Sequence, residues 1–156
     1  MLISDEHRSQ ETKRHMTDPE YGGESIAYAN NISTIINNLG IEDVLDYGAG
    51  KGELPKNLVL DHRVKVHLYD PAIPAISESP EPHDMVVCAN VLEYVEDKYV
   101  DAVLDDLKRC TKRIGFISVK GELDEWLPRI MSRFSLESAI RTGDEFFAIV
   151  SLKDEH

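Results

Sequence analysis

The chain has 156 residues, enough for one domain with a real core, and its 17 lysines and arginines face 29 aspartates and glutamates, for a formal charge of −12. A summed field of that sign repels phosphate backbones and anionic membranes, so nucleic acids and charged lipid surfaces are disfavoured partners. Two cysteines give no disulfide framework, no 18-residue apolar run is present, and Asp5, Glu6, Arg8 and Glu11 break any signal-peptide pattern, so the expected setting is a reducing cytoplasm.

Residues 1–20 are polar and aperiodic and read as a flexible arm; the domain is expected over 21–152. Tyr21-Gly22-Gly23 is a turn into a helix whose Ile26, Ala29, Ile32, Ile35, Ile36 and Leu39 keep helical spacing, with Gly40 as its C-cap. The segment Val44-Leu45-Asp46-Tyr47-Gly48-Ala49-Gly50-Lys51-Gly52 is the most informative: an apolar strand runs into an acid and then three glycines at alternate positions. Glycine lets the backbone turn tightly and approach a ligand closely, which suits an adenosine-bearing ligand. Dinucleotide enzymes space their glycines G-x-G-x-x-G and set a pyrophosphate against a helix N-terminus. Here the spacing is G-x-G-x-G with Asp46 two residues ahead. A carboxylate there does nothing for a pyrophosphate but favours a cofactor with an ammonium group and no phosphate, as S-adenosylmethionine is.

Glu53 to Leu60 suits a short helix with Pro55 in its first turn. Val64 to Asp70 alternates as a strand ending in an acid. Only thirteen residues separate Asp70 from Asp84, four of them (Pro71, Pro74, Pro80 and Pro82) prolines, so this stretch is expected to be an extended loop over the strand ends. The segment from Asp84 to Ala89 is an apolar strand enclosing Cys88. Tyr99 to Cys110 is an amphipathic helix, and Lys108, Arg109, Lys112 and Arg113 are expected at its end, where cations complement the dipole. A strand over 113–119, a helix carrying Leu123, Trp126, Leu127, Ile130, Met131 and Phe134, and a hairpin over 135–151 turning at Arg141-Thr142-Gly143-Asp144 complete the chain. The six histidines show no metal-ligand spacing and are expected on the solvated surface, with no metal site.

Three of these segments carry a resemblance. Asp46 to Gly52 resembles the D-x-G-x-G-x-G motif of class I S-adenosylmethionine-dependent methyltransferases. Val64 to Asp70 resembles their second strand, and His83 to Val95 the segment D-x-V-x-x-x-x-V-L-E-H, with Tyr94 in the place of the histidine. The resemblance implies a Rossmann-like α/β sheet, mostly parallel with a C-terminal antiparallel hairpin. A usual member places a helix, a strand and another helix between the second strand and the strand at 85–89, so here the sheet is expected to be abbreviated. A small subgroup with L-D-Y-G-x-G-K-G and Y-D-P-A-I-P is similar to this chain. Its members carry a longer polar insert where this chain has only Lys120 to Glu125.

The family's cofactor is S-adenosylmethionine, and the residues the resemblance assigns to it are Asp46, Tyr47, Gly48, Ala49, Gly50 and Gly52 in the turn, Asp70 and Pro71 after the second strand, Ala89 and Asn90 after the third, and Tyr21. Tyr28 is a further candidate wall. Methyl transfer asks mainly for alignment, plus a base when the acceptor carries a proton. Glu93 is the candidate base, although a carboxylate at a helix start is stabilised there without catalysis. The segment from Cys88 to Val91 differs from the D-P-P-Y-like motif of amino-directed DNA methyltransferases. With the acidic balance, this favours a small-molecule or protein acceptor over nucleic acid. The rival expectation is a non-catalytic protein of the same fold, binding the cofactor or a protein partner.

Overall fold

The computed structural model describes Ser4 and residues 27–153, so the rest of the expected arm, and Tyr21 with its glycine turn, lie outside the described residues. Helix α1 (Ala29–Leu39) forms because Ala29, Ile32 and Ile36 fall on one buried face, and Gly40 ends it at φ 63°, in the left-handed region where a side chain would be strained. Strand β1 (Asp43–Tyr47) is buried along its last four residues. It is followed by one short turn of helix, α2 (Leu54–Asn57), β2 (Lys65–Tyr69), a 3₁₀ turn (Pro74–Ile76), β3 (His83–Ala89) and a second 3₁₀ turn (Leu92–Tyr94). Helix α3 (Asp97–Cys110), β4 (Thr111–Lys120), α4 (Leu123–Met131), β5 (Phe134–Thr142) and β6 (Glu145–Leu152) complete the order.

The strands form one six-stranded sheet in the order β2-β1-β3-β4-β6-β5. The first four run parallel; β6 inserts antiparallel between β4 and β5. Helices cover both faces, which is why β1, β3 and β4 read as apolar runs instead of alternating. On one side Ile32, Ile36 and Leu54 pack on Val44, Met85, Val87 and Phe116. On the other, Val100, Val103, Leu104 and Leu107 of α3, with Ile130 of α4, pack on Leu45, Val86, Cys88 and Ile117. The expected mostly parallel α/β sheet with its terminal antiparallel hairpin and its abbreviation is present: between β2 and β3 lies a single 3₁₀ turn, and no strand pairs outside β2 among the described residues.

Local boundaries differ in four places. The helix expected over 53–60 is one turn long, since Leu58 is already extended. Helix α3 starts two residues early, at Asp97, so Glu93 sits in the preceding 3₁₀ turn and not at an α-helix start. Lys108 and Arg109 do occupy the last turn of α3, but Lys112 and Arg113 belong to β4, because the chain leaves the helix directly into the strand. Phe134 opens β5 instead of closing α4, where Ser132 and Arg133 bond the last helical carbonyls. No helix among the described residues is long and apolar enough to cross a membrane.

Candidate cofactor site

The C-terminal ends of parallel strands are where open α/β sheets hold ligands, and Asp46, Asp70, Ala89 and Asn90 lie at or next to the ends of β1, β2 and β3. Asp46 lies one residue from the end of β1, only 1% exposed, and its Oδ2 accepts no hydrogen bond among the described residues. Burial, reinforced by the nearby Asp70 carboxylate, pushes its pKa up to about 7. A buried carboxylate oxygen without a donor is costly to ionise, and an arriving cation would remove that cost.

The turn after β1 is tied to the end of β2. Gly48 and Ala49 both donate to the Tyr69 carbonyl, at 2.7 and 2.9 Å, and Gly52 donates to the Ala49 carbonyl at 3.0 Å. Gly50 donates its amide to Asp70 Oδ2 at 3.0 Å, while Asp70 Oδ1 accepts the Ala72 amide at 2.9 Å. Gly48 and Gly50 sit at φ 86° and 57°, which makes glycine the residue of choice for both. Four amides of the turn are therefore spent on protein acceptors, and the turn is not a cradle of open N–H groups for a pyrophosphate. Asp70 is 8% exposed, and Pro71 behind it is buried. The bonds to Gly50 and Ala72 fix the orientation of the Asp70 carboxylate at the end of β2.

The Tyr47 side chain points away from the turn. Its ring is fully buried against Tyr69, with centroids 4.9 Å apart, and its hydroxyl donates to Asp106 Oδ2 on α3 at 2.6 Å, so the side chain belongs to the core and only its backbone remains for a ligand. Ala89 ends β3, the neighbour of β1, and Asn90 follows it. Asn90 is the one non-glycine residue at positive φ among the described residues (54°), a conformation asparagine tolerates better than most. Ser118 of β4 holds it there: the Asn90 amide donates to Ser118 Oγ at 3.0 Å, and that hydroxyl donates to Asn90 Oδ1 at 2.9 Å. Within the apolar stretch 114–119 of β4, Ser118 is the one hydroxyl-bearing residue. Val91 then folds over the turn, so close that a Cβ on Gly48 would lie 2.5 Å from Val91 Cγ2.

Further along the same end of the sheet, Glu93 Oε2 accepts the backbone amide of Lys120. Tyr28, 4% exposed, packs on Phe116 and Phe147 and donates its hydroxyl to Glu145, the first residue of β6. Burial, then the Glu145 bond, raises the Tyr28 phenol to about 12, so it acts as a donor and not as a base. Nothing distinguished Glu145 from the chain's many other acids before folding placed it under Tyr28. Cys88 is buried and its thiol is pushed up by that burial, which disfavours the thiolate. His83 contradicts the expectation of a solvated surface: it is 8% exposed and bonds Asp43 through Nδ1 at 2.9 Å.

Comparison with known proteins places the fold. No protein-family model matches the sequence, and no curated protein does. Among solved structures, the chain is similar to the 1,6-didemethyltoxoflavin-N1-methyltransferase of Burkholderia thailandensis with bound 1,6-didemethyltoxoflavin and S-adenosylhomocysteine, at TM-score 0.73 and 15% identity, over 99% of this chain and 92% of that one. It is also similar to the mitomycin 7-O-methyltransferase MmcR (0.69, 14%, over 92% and 60%), and to the 16S rRNA methylase ArmA (0.61, 15%, over 94% and 98%). The chain thus spans less than two thirds of MmcR. The architecture is the Rossmann-like fold of these methyltransferases. Their acceptors include both small molecules and ribosomal RNA, so the fold does not select between those classes.

Proposed function

We propose that the chain binds S-adenosylmethionine and transfers its methyl group to a neutral or cationic acceptor, a small molecule or a protein side chain. The observation that carries this reading is the pair of buried carboxylates on adjacent strand ends. Asp46 has an oxygen lacking a donor, which suits an ammonium, and Asp70 is oriented to take the ribose hydroxyls. The commitment of the Gly48, Ala49, Gly50 and Gly52 amides to protein acceptors argues against a dinucleotide pyrophosphate in the same turn. Gly48, Gly50, Ala89 and Asn90 would line the cofactor, and Pro71 would sit beside its ribose. When bound, the cofactor supplies a methyl group already activated by the sulfonium charge, so the chain's work is alignment and exclusion of water.

The acceptor class follows from the rim at the ends of β4, β5 and β6. Its cations are answered by acids: Lys120 Nζ lies 3.6 Å from Asp144 Oδ2, and Arg141 Nη2 lies 3.8 Å from Glu122 Oε2. Glu93 and Glu145 add negative charge, which repels a polyanion and attracts an amine. Glu93 would take the acceptor's proton if the acceptor approaches from this rim.

One observation favours a second reading, a cofactor-binding protein without transfer activity. Only Gly121 and Glu122 separate β4 from α4, which leaves little loop to shape an acceptor pocket, and Glu93 is already engaged by the Lys120 amide. Calorimetry with S-adenosylmethionine, S-adenosylhomocysteine and a nicotinamide dinucleotide tests the binding claim; heat only with the dinucleotide refutes it. Labelled cofactor offered with fractionated lysate tests transfer. Tight binding with no labelled product in any fraction selects the second reading.

A further inference from the structure

At the opposite end of the sheet from the glycine turn, three metal-ligating side chains meet that no part of the methyl-transfer reading uses. Asp43 opens β1, His83 opens β3, and His67 is the middle residue of β2. Because β1 lies between β2 and β3 in the sheet, the Asp43 carboxylate is within reach of both imidazoles. Asp43 Oδ1 is 3.2 Å from His67 Nε2 and 2.9 Å from His83 Nδ1, and one donor atom from each residue lies within 4.8 Å of the others. The imidazole rings approach to 4.2 Å between centroids.

We propose that Asp43, His67 and His83 form a zinc site that pins the edge strand β2 to β1 and β3. A tetrahedral zinc with bonds of about 2.0–2.1 Å has ligand atoms roughly 3.3 Å apart, so the two separations from Asp43 Oδ1, 3.2 and 2.9 Å, lie within a few tenths of an ångström of that spacing. Two imidazoles and one carboxylate suit zinc and its transition-metal neighbours, whereas calcium and magnesium demand oxygen ligands. The His83 side chain is 10% exposed, while those of Asp43 and His67 are each 36% exposed, which leaves a mouth through which an ion enters and a water completes the coordination. Asp43 is also oriented by the Asp84 backbone amide, the kind of supporting bond that fixes a metal-ligating carboxylate. The abbreviated crossover explains the need: among the described residues β2 pairs with β1 alone, and a metal spanning three strands supplies a second anchor.

The test uses the full-length protein without an affinity tag, stripped with a chelator and then titrated with zinc against a chromogenic competitor. One equivalent per chain is expected, as is a cobalt complex with tetrahedral visible absorption that zinc displaces. Zinc at a hundredfold excess over Kd should raise Tm by roughly 5–10 °C. His67→Ala and His83→Ala, checked for folding by circular dichroism, should each weaken zinc at least about tenfold. His62→Ala, at a ring bonded to Asp61 and the Ile41 carbonyl, should leave it unchanged. Absence of stoichiometric binding to the folded wild type overturns the site even if no variant folds, and so does zinc binding that survives both histidine substitutions. Binding of S-adenosylmethionine is measured separately, so either proposal can fail without the other.

Discussion

Asp46 carries two predictions because its proton is poised near neutrality. Burial and Asp70 raise it to about 7 in the folded protein, whereas an unfolded chain keeps an aspartate near 3.9. The folded state therefore binds this proton more tightly, and the associated stability is present below the unfolded value and lost as pH rises through about 7. Asp46→Asn removes that loss, so its urea midpoint should climb relative to wild type between pH 5 and pH 8, by the equivalent of a few kcal/mol. A constant difference across that range would mean Asp46 does not titrate there. An ammonium ligand prefers the ionised carboxylate, so S-adenosylmethionine should bind more weakly at pH 5.5 than at pH 7.5, and this dependence should flatten in the asparagine variant. At Asp70 the expectation is simpler. Asp70→Ala should cost about 1.5–3 kcal/mol of cofactor affinity, the scale of hydrogen bonds to a charged group; unchanged calorimetric affinity would reduce Asp70 to a clasp for Gly50 and Ala72.

At the site Val91, after β3, packs closely over Gly48, after β1. Gly48→Ala should destabilise by roughly 2–4 kcal/mol, combining overpacking with strain at φ 86°. Adding Val91→Ala should recover the packing part and leave the strain. Strictly additive costs in urea unfolding would show that the two elements are not coupled there. The strand and glycine pattern at 44–52 was readable because both signals are local: apolar period on one side, residues without Cβ on the other. The shortened crossover was readable from the thirteen residues between Asp70 and Asp84, set against the helix, strand and helix that the resembling family places there. What stayed hidden depends on packing across the sheet. Tyr47 looked like part of the ligand turn, yet strand alternation sends its ring toward α3, where Asp106 takes the hydroxyl proton. Glu145 and Tyr28 are 117 residues apart and become partners only when β6 docks. The Asp43, His67 and His83 cluster has no sequence spacing to betray it, since its members come from three strands that adjoin only in the folded sheet.

For the molecule as a whole, the charge of −12 bears on the acceptor more than the fold does. On the outer face of α3, aspartates are matched by Arg129 and Arg133, with Arg133 Nε 3.0 Å from Asp105 and Arg129 Nη1 3.3 Å from Asp97, so these arginines are not available as a basic stripe. No complex with duplex DNA or with RNA that survives competitor is expected at about 0.15 M salt; a tight, competitor-resistant gel shift would overturn this and realign the chain with its ribosomal RNA neighbours. The placement of β6 between β4 and β5 has a consequence for how the protein is made. The long inner strand β4 is synthesised well before its lateral partner, so until residues 145–152 leave the ribosome it presents an apolar open edge, and the four parallel strands wait incomplete. A chain cut before Phe134 should accordingly aggregate or remain unfolded, and the final hairpin should be the last segment to gain protection against hydrogen exchange during refolding.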